Sequence, residues 1–186
     1  LIYYYKPKRN IQLLKEATII NKYYNISNSY NKILYAMVIS DIINYSSYAQ
    51  NPCSIIFRLI KSSLSCIDQS SQDTTIYYYI FFKLQLLIYL GYSPLLDFCS
   101  ACNKKINCGV FDNRLGQLVC NQCSKSKIKI NEESLDIMAR LSKIHIKNIE
   151  DNFRVAPKVL LDIKKYLFKF ILYHIPELKK SKAFIS

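Results

Sequence analysis

The residues best suited to chemistry are four cysteines in two Cys-x-x-Cys pairs, Cys99–Cys102 and Cys120–Cys123, with seventeen residues between the pairs. This spacing is typical of a four-cysteine zinc site. Two cysteines on a tight turn can direct both sulfurs at one ion, and tetrahedral zinc needs four donors at about 2.3 Å. Four thiolates leave no position for a substrate, so the motif predicts one structural zinc ion. Cys108 lies between the pairs and is interpreted as a spare thiol.

Two other states of these cysteines stay open, namely disulfides and free buried thiols. Disulfides form in oxidising compartments, and no segment of the chain resembles a secretory signal. The cysteines therefore favour a reducing, cytoplasmic setting with a bound metal.

The chain is strongly basic, with 26 Lys and Arg against 13 Asp and Glu and a formal net charge of +13. Such an excess favours a polyanionic partner, either nucleic acid or an anionic membrane. A biased genome is the alternative source, because the whole sequence is rich in Lys, Ile, Asn and Tyr. The most apolar run, residues 76–90, is interrupted by Lys83 and is shorter than the roughly 20 residues of a spanning helix. No membrane partner is predicted.

Basic residues also flank the cysteine pairs, among them Lys104, Lys105, Arg114, Lys125 and Lys127. They could form a patch that binds DNA phosphates. Alternatively, they could balance the charge of −2 that remains when four thiolates hold one Zn²⁺. The sequence leaves these two readings equal.

The elements that must position these residues are mainly helical. Residues 1–25 are rich in aromatic and β-branched side chains and predict two strands, the second over 11–24. Apolar residues then recur at helical spacing, with a loop predicted at 62–73. A helix predicted at 75–90 is apolar on nearly every side and is expected to be the central, most buried one. Tyr77 to Tyr79 are interpreted as core residues rather than as a platform for stacking bases.

Two further helices follow the cysteines, one capped by Asn131 and one opened by Pro157. The predicted fold class is therefore mainly α: a helical bundle, residues 26–97 and 125–186, with an inserted four-cysteine zinc hairpin at 98–124. The strands of residues 1–25 read as the tail of a larger β domain, because two strands alone are marginal in water.

Features of an enzyme are missing from the sequence. The two histidines, His145 and His174, have no evident Cys or Ser partner, and both are interpreted as partly exposed helix residues. The chain has only three glycines and no glycine-rich phosphate loop. A non-enzymatic protein is predicted.

The order of these features resembles the RecO family of bacterial recombination mediators. The segments that carry the resemblance are "LLKEATII" and "KLQLLIYLGYSPLLDFCSAC", then "GVFDNRLGQLVCNQC" and "YLFKFILYHIPELKKSKAFI". The resemblance covers essentially the whole chain and is most specific at residues 86–123 and 166–185. The final motif contains one lysine more than the compact family form.

The resemblance implies an N-terminal OB-fold, of which residues 1–25 would be the last strands, followed by a helical domain and a zinc module. It implies binding of single- and double-stranded DNA, strand annealing and loading of RecA together with RecR and the C-terminal tail of SSB. The four paired cysteines match the family's zinc ligands. The candidate DNA-binding residues are Lys6, Lys8, Arg9, Lys104, Lys105, Arg114, Lys125 and Lys127.

The sequence departs from the family because most of the expected OB-fold precedes Leu1. An alternative function is therefore kept: a zinc-stabilised helical module without DNA affinity, which would dock an SSB tail or a RecR-like partner through an apolar groove rimmed by lysines.

Overall fold

The computed structural model of the protein describes residues 1–45, 54–124, 129–149 and 153–181. These residues form a mainly helical structure with two small antiparallel sheets. Short 3-10 helices lie at Ile146–Asn148 and Pro176–Lys180. The main elements are β1 (Ile2–Tyr4), β2 (Leu13–Glu16), α1 (Tyr24–Ser27), α2 (Tyr30–Tyr45), α3 (Ser54–Gln69), α4 (Thr75–Tyr89), β3 (Gly109–Asp112), β4 (Gln117–Val119), β5 (Lys129–Ile130), α5 (Glu132–Lys143) and α6 (Pro157–His174).

Helix α4 is the centre of the helical core. Every residue from Thr75 to Leu84 is buried, and the helix packs against α2, α3, α5 and α6. It ends where the sequence predicts, because Gly91 adopts a left-handed φ of +80° and the Tyr92 N–H donates to the Leu87 carbonyl at 2.8 Å. The interpretation of Tyr77 to Tyr79 as core residues is confirmed, since all three are buried.

Helix α3 is longer than the sequence predicts. It continues to Gln69, so the predicted loop at 62–73 is wrong over its first eight residues. Its serines do not interrupt the helix, because Ser63 is buried in the core and the Ser62 hydroxyl donates to the Arg58 carbonyl at 2.8 Å. Burial of Ile67 beyond them keeps the last turns on the core.

The two N-terminal strands form a separate antiparallel pair, and all of their residues are exposed. The Gln12 side chain closes the turn between them by accepting from the Lys6 N–H at 2.7 Å and donating to the Arg9 carbonyl at 2.6 Å. The predicted strand over 11–24 is wrong beyond Glu16. Ile19 and Ile20 are 70% and 93% exposed, because the described residues offer them neither a third strand nor a core.

The second sheet, in the order β4-β3-β5, rests on α6. Phe111 of β3 is buried opposite Leu118, and its ring lies 5.9 Å from that of Tyr166 and 6.3 Å from that of Phe170. The sheet extends past the predicted 98–124 segment, because Lys129 of β5 pairs with Val110. The sheet and α6 therefore share one apolar interface.

The predicted starts of the last two helices are confirmed. The Asn131 side chain accepts from the Ser134 N–H at 2.8 Å at the start of α5, and Pro157 is the first residue of α6. Among the described residues, no helix has the length and hydropathy needed to cross a membrane.

Candidate metal centre and nucleic-acid interface

Each cysteine pair sits on a tight backbone turn. In the first, the Cys99 N–H donates to the Lys104 carbonyl at 2.9 Å and Asn103 adopts a left-handed φ of 57°. In the second, the Cys123 N–H donates to the Cys120 carbonyl at 3.0 Å. The turns are joined because the backbone N–H of Ser100 donates to the Leu118 carbonyl at 3.0 Å. Strand β4 thus carries the second pair to the first.

The four predicted sulfurs converge. Their Sγ atoms all lie within 4.8 Å of one another, and those of Cys102 and Cys120 are 3.9 Å apart. Sulfurs about 2.3 Å from a shared ion at tetrahedral angles would be about 3.8 Å apart. The arrangement therefore suits one tetrahedral ion. Cys108 is outside the cluster and exposed, with Asn121 Nδ2 at 3.8 Å from its sulfur.

Backbone donors favour the thiolate form of Cys99. Burial acts to raise the pKa of Cys99, but the N–H groups of Cys120, Cys102 and Ala101 point at its sulfur and lower the pKa to about 6. The pKa of Cys123 is raised to about 12, chiefly because its thiol hydrogen-bonds to Cys120. A divalent cation at the centre would replace that retained proton.

The turn between β3 and β4 is anchored to the end of α6. The Tyr173 hydroxyl donates to the Arg114 carbonyl at 3.1 Å, and His174 Nε2 lies 3.2 Å from the Gly116 carbonyl. The His174 ring also stacks on Tyr92 at 4.7 Å. His174 therefore helps to hold the β3–β4 turn against α6. The sequence analysis missed this role, because a tyrosine followed by a histidine at the end of an amphipathic helix is too common to indicate it.

Within this turn, the Asp112 carboxylate accepts from the Arg114 N–H at 2.8 Å and pairs with its guanidinium at 3.3 Å. The hydrogen bonds from Arg114 lower the pKa of Asp112 to about 2. The Arg114 side chain as a whole is nevertheless 83% exposed. The tip of the turn therefore presents a cation on a fixed backbone.

The other candidate DNA-binding residues lie on separate parts of the chain. Lys6, Lys8 and Arg9 are exposed in the turn between β1 and β2, and Lys104 and Lys105 are exposed beside the first cysteine pair. Lys125 and Lys127 lie outside the described residues. The described candidates do not form a cluster around a single element.

A groove of about 700 Å³ runs between α3, α4 and the end of α5. Leu59, Phe81 and Ile144 supply its apolar lining, and no carboxylate is among the described residues that line it. His145 also lines it, just past α5 rather than within a helix as expected. The basic residues at this groove are Arg58, Lys61, Lys143 and Lys147.

The comparisons with known proteins agree on one family. The family model described as "Recombination protein O C terminal" matches residues 27–183. A protein called DNA repair protein RecO from Syntrophomonas wolfei is 24% identical over 167 residues, which cover 88% of this chain and 66% of that protein. The chain thus spans about two thirds of that relative's length.

Two further relatives with the same name give similar values. The protein from Caldanaerobacter subterraneus is 25% identical over 179 residues, which cover 95% of this chain and 72% of that protein. That from Thermoanaerobacter sp. is 26% identical over 181 residues, covering 96% and 72%. Similarity to these two therefore extends to β2, which precedes the part matched by the family model.

Proposed function

This chain belongs to the RecO family of recombination proteins, and we propose from that membership that it acts in DNA repair as a homologous-recombination mediator. Membership in this family agrees with the prediction that the protein is not an enzyme. The observation that carries the proposal is the family match over residues 27–183. The net charge of +13 supports DNA as the partner. Cooperation with RecR and SSB, and loading of RecA, belong to the same proposal.

The mechanism proposed is charge neutralisation of two strands at once. Basic side chains that bind both backbones lower the repulsion between them, so that complementary bases can pair. Each phosphate contact releases a counterion, and affinity should therefore fall steeply with salt. No covalent step is involved.

A strand-annealing assay tests this function. Two complementary oligonucleotides with a fluorescence donor and acceptor are mixed with the chain between about 50 and about 200 mM salt. Faster pairing that disappears toward the higher salt is expected. The absence of acceleration throughout this range, or acceleration that salt does not change, would contradict the proposal.

The metal centre is proposed to hold one structural zinc ion on Cys99, Cys102, Cys120 and Cys123. Support comes from the convergence of the four sulfurs and from the backbone donors around Cys99. The ion would join the two turns and so keep the β3–β4 tip in place over α6. Such a closed four-thiolate sphere has no open position for catalysis.

Strands β1 and β2 are proposed to be the last strands of an OB-fold. Their full exposure supports this, because a pair of strands with both faces exposed to solvent has no hydrophobic core of its own. The relatives are longer than this chain, and their similarity to it includes β2. Division into an OB-fold segment, a helical bundle and a zinc module stays a prediction.

A second candidate function is a protein-interaction module that needs no DNA. The groove between α3, α4 and α5 favours it, because an apolar lining with four basic side chains suits an acidic segment that carries apolar residues. An SSB tail or a RecR-like partner would be such a ligand.

Peptide titration separates the two functions. An acidic peptide with apolar residues at one end should bind, and Arg58→Ala should weaken that binding. The control is Arg154→Ala, at an exposed position outside the groove, which should leave the binding unchanged. Peptide binding without strand annealing would favour the second function. If Arg58→Ala binds the peptide as tightly as the wild-type chain does, the groove is not the binding site.

A further inference from the structure

Helix α6 carries a line of exposed lysines that no function described so far uses. Lys158, Lys165 and Lys169 are all exposed, and at about 100° per residue they lie within about 40° of one another around the helix. Asp162 is the one carboxylate of α6 and lies beside them. The opposite face is buried against the core through Val159, Ile163, Tyr166, Leu167, Phe170 and Ile171. We call the three lysines the α6 stripe.

The α6 stripe continues onto the second sheet. At about 1.5 Å per residue, Lys165 lies about 10.5 Å from Lys158 along the axis, and Lys169 a further 6 Å on. Four residues later comes Tyr173, which is 43% exposed and hydrogen-bonds to the Arg114 carbonyl. This hydrogen bond holds the tip of the β3–β4 turn, with its exposed Arg114, beside the end of α6.

The three lysines of the α6 stripe have no carboxylate partner among the described residues. The two ion pairs found there are Arg114 with Asp112 and Arg140 with Asp136, and neither involves an α6 lysine. Arg114 keeps most of its side chain in solvent despite its pair. The line is thus available to an external polyanion, and cations spread along one line suit a chain of phosphates better than a compact anion.

We propose that the α6 stripe, extended by Arg114, binds the backbone of single-stranded DNA and that Tyr173 contacts a base. This inference rests on the proposed function. The exposed ring selects single strands, because bases in a duplex are stacked on each other and cannot reach it. Asp162 opposes the bound phosphates and limits the affinity.

Fluorescence anisotropy of a labelled thymidine oligonucleotide tests the inference on the full 186-residue chain. Lys165→Gln/Lys169→Gln should weaken binding about 10- to 30-fold near 100 mM salt and reduce the slope of log affinity against log salt by about 1.4, about 0.7 per lost contact. Asp162→Asn should strengthen binding. Unchanged circular dichroism and melting temperature identify the variants as folded.

The matched control is Lys15→Gln/Lys22→Gln, which removes the same charge from two exposed positions on β2 and just before α1. It should change affinity by less than about twofold. Equal losses in the two double variants would show diffuse attraction and overturn the inference, as would an α6 double variant that binds like the wild type.

The remaining outcomes separate this inference from the function on which it rests. If the wild-type chain binds no DNA at all, the proposed function fails as well. If the α6 double variant loses an acidic peptide but not DNA, the surface serves a protein partner and the inference is wrong. Equal effects of the α6 substitutions on a duplex of the same length would overturn the assignment to single strands.

Discussion

At the scale of single residues, Cys99 and Cys108 differ in the way that the proposed metal site requires. It is buried and accepts the Cys120 N–H at 3.2 Å, whereas Cys108 is exposed and outside the cluster. Cys99→Ser should therefore lower zinc content from about one ion per chain and broaden thermal unfolding, while Cys108→Ser should do neither. Metal analysis of the purified variants measures this. Equal zinc loss from both would refute the ligand assignment.

His174 should make the docking of the β3–β4 turn depend on pH. Burial lowers its pKa, although the hydrogen bond with the Gly116 carbonyl acts in the opposite direction. The unfolded chain therefore takes up a proton first, as the pH falls below the ordinary value of about 6.5. The stability contributed by the neutral ring is complete above that value and is lost below it.

Urea unfolding measured from about pH 7.5 to about pH 5.5 should show this loss, and His174→Gln should reduce it. Glutamine keeps a donor for the Gly116 carbonyl but does not titrate. Parallel pH curves for wild type and variant would show that another group causes the dependence.

At the scale of elements, the β3–β4 turn packs closely against Tyr173 of α6. Gly116 has a φ of +64°, and an added Cβ would collide with the Tyr173 ring. Gly91 has a φ of +80° but open space around it. Gly116→Ala should therefore cost about 3 kcal/mol, about 1 for the backbone and about 2 for overpacking.

Gly91→Ala is the matched substitution, and it should cost only the backbone component of about 1 kcal/mol. Free energies of unfolding from urea titrations compare the two. Equal costs would mean that the turn lifts away from Tyr173 without penalty, and that the contact does not hold the hairpin.

Some elements could be predicted from the sequence because local chemistry determines them. Helix α4 is apolar on nearly every side and ends at a glycine, and α5 and α6 begin at Asn131 and Pro157, whose side chains favour helix starts. The spacing of the cysteines similarly predicted that four sulfurs would meet.

Other elements could not be predicted because distant contacts decide them. The polar end of α3 stays helical because Ser63 and Ile67 are buried by the rest of the core. Strand β5 is two residues long and exists only by pairing with β3. The anchoring of Arg114 beside the α6 stripe depends on Tyr173, which is 59 positions away in the chain.

At the scale of the whole molecule, the core and the proposed metal centre should respond differently to chelation. Helix α4 packs against four other helices. The two cysteine turns are held by a small number of backbone hydrogen bonds and, in the proposed site, by the bonds from their sulfurs to the ion. Removing the metal should speed amide exchange in β3 and β4 and leave α4 protected. Hydrogen exchange with mass spectrometry measures both. Loss of protection in α4 as well would show that the core depends on the ion.

The third strand of the second sheet limits how the cysteine segment can be transplanted. A peptide cut at residues 98–124 would retain all four sulfurs but would leave behind β5, and with it the α6 rings that cover Phe111. Such an excised fragment would keep the four proposed ligands but lose the apolar surface on which the sheet packs. A cysteine segment grafted into another protein would therefore need residues 129–130 as well, and an apolar surface that replaces the aromatic face of α6.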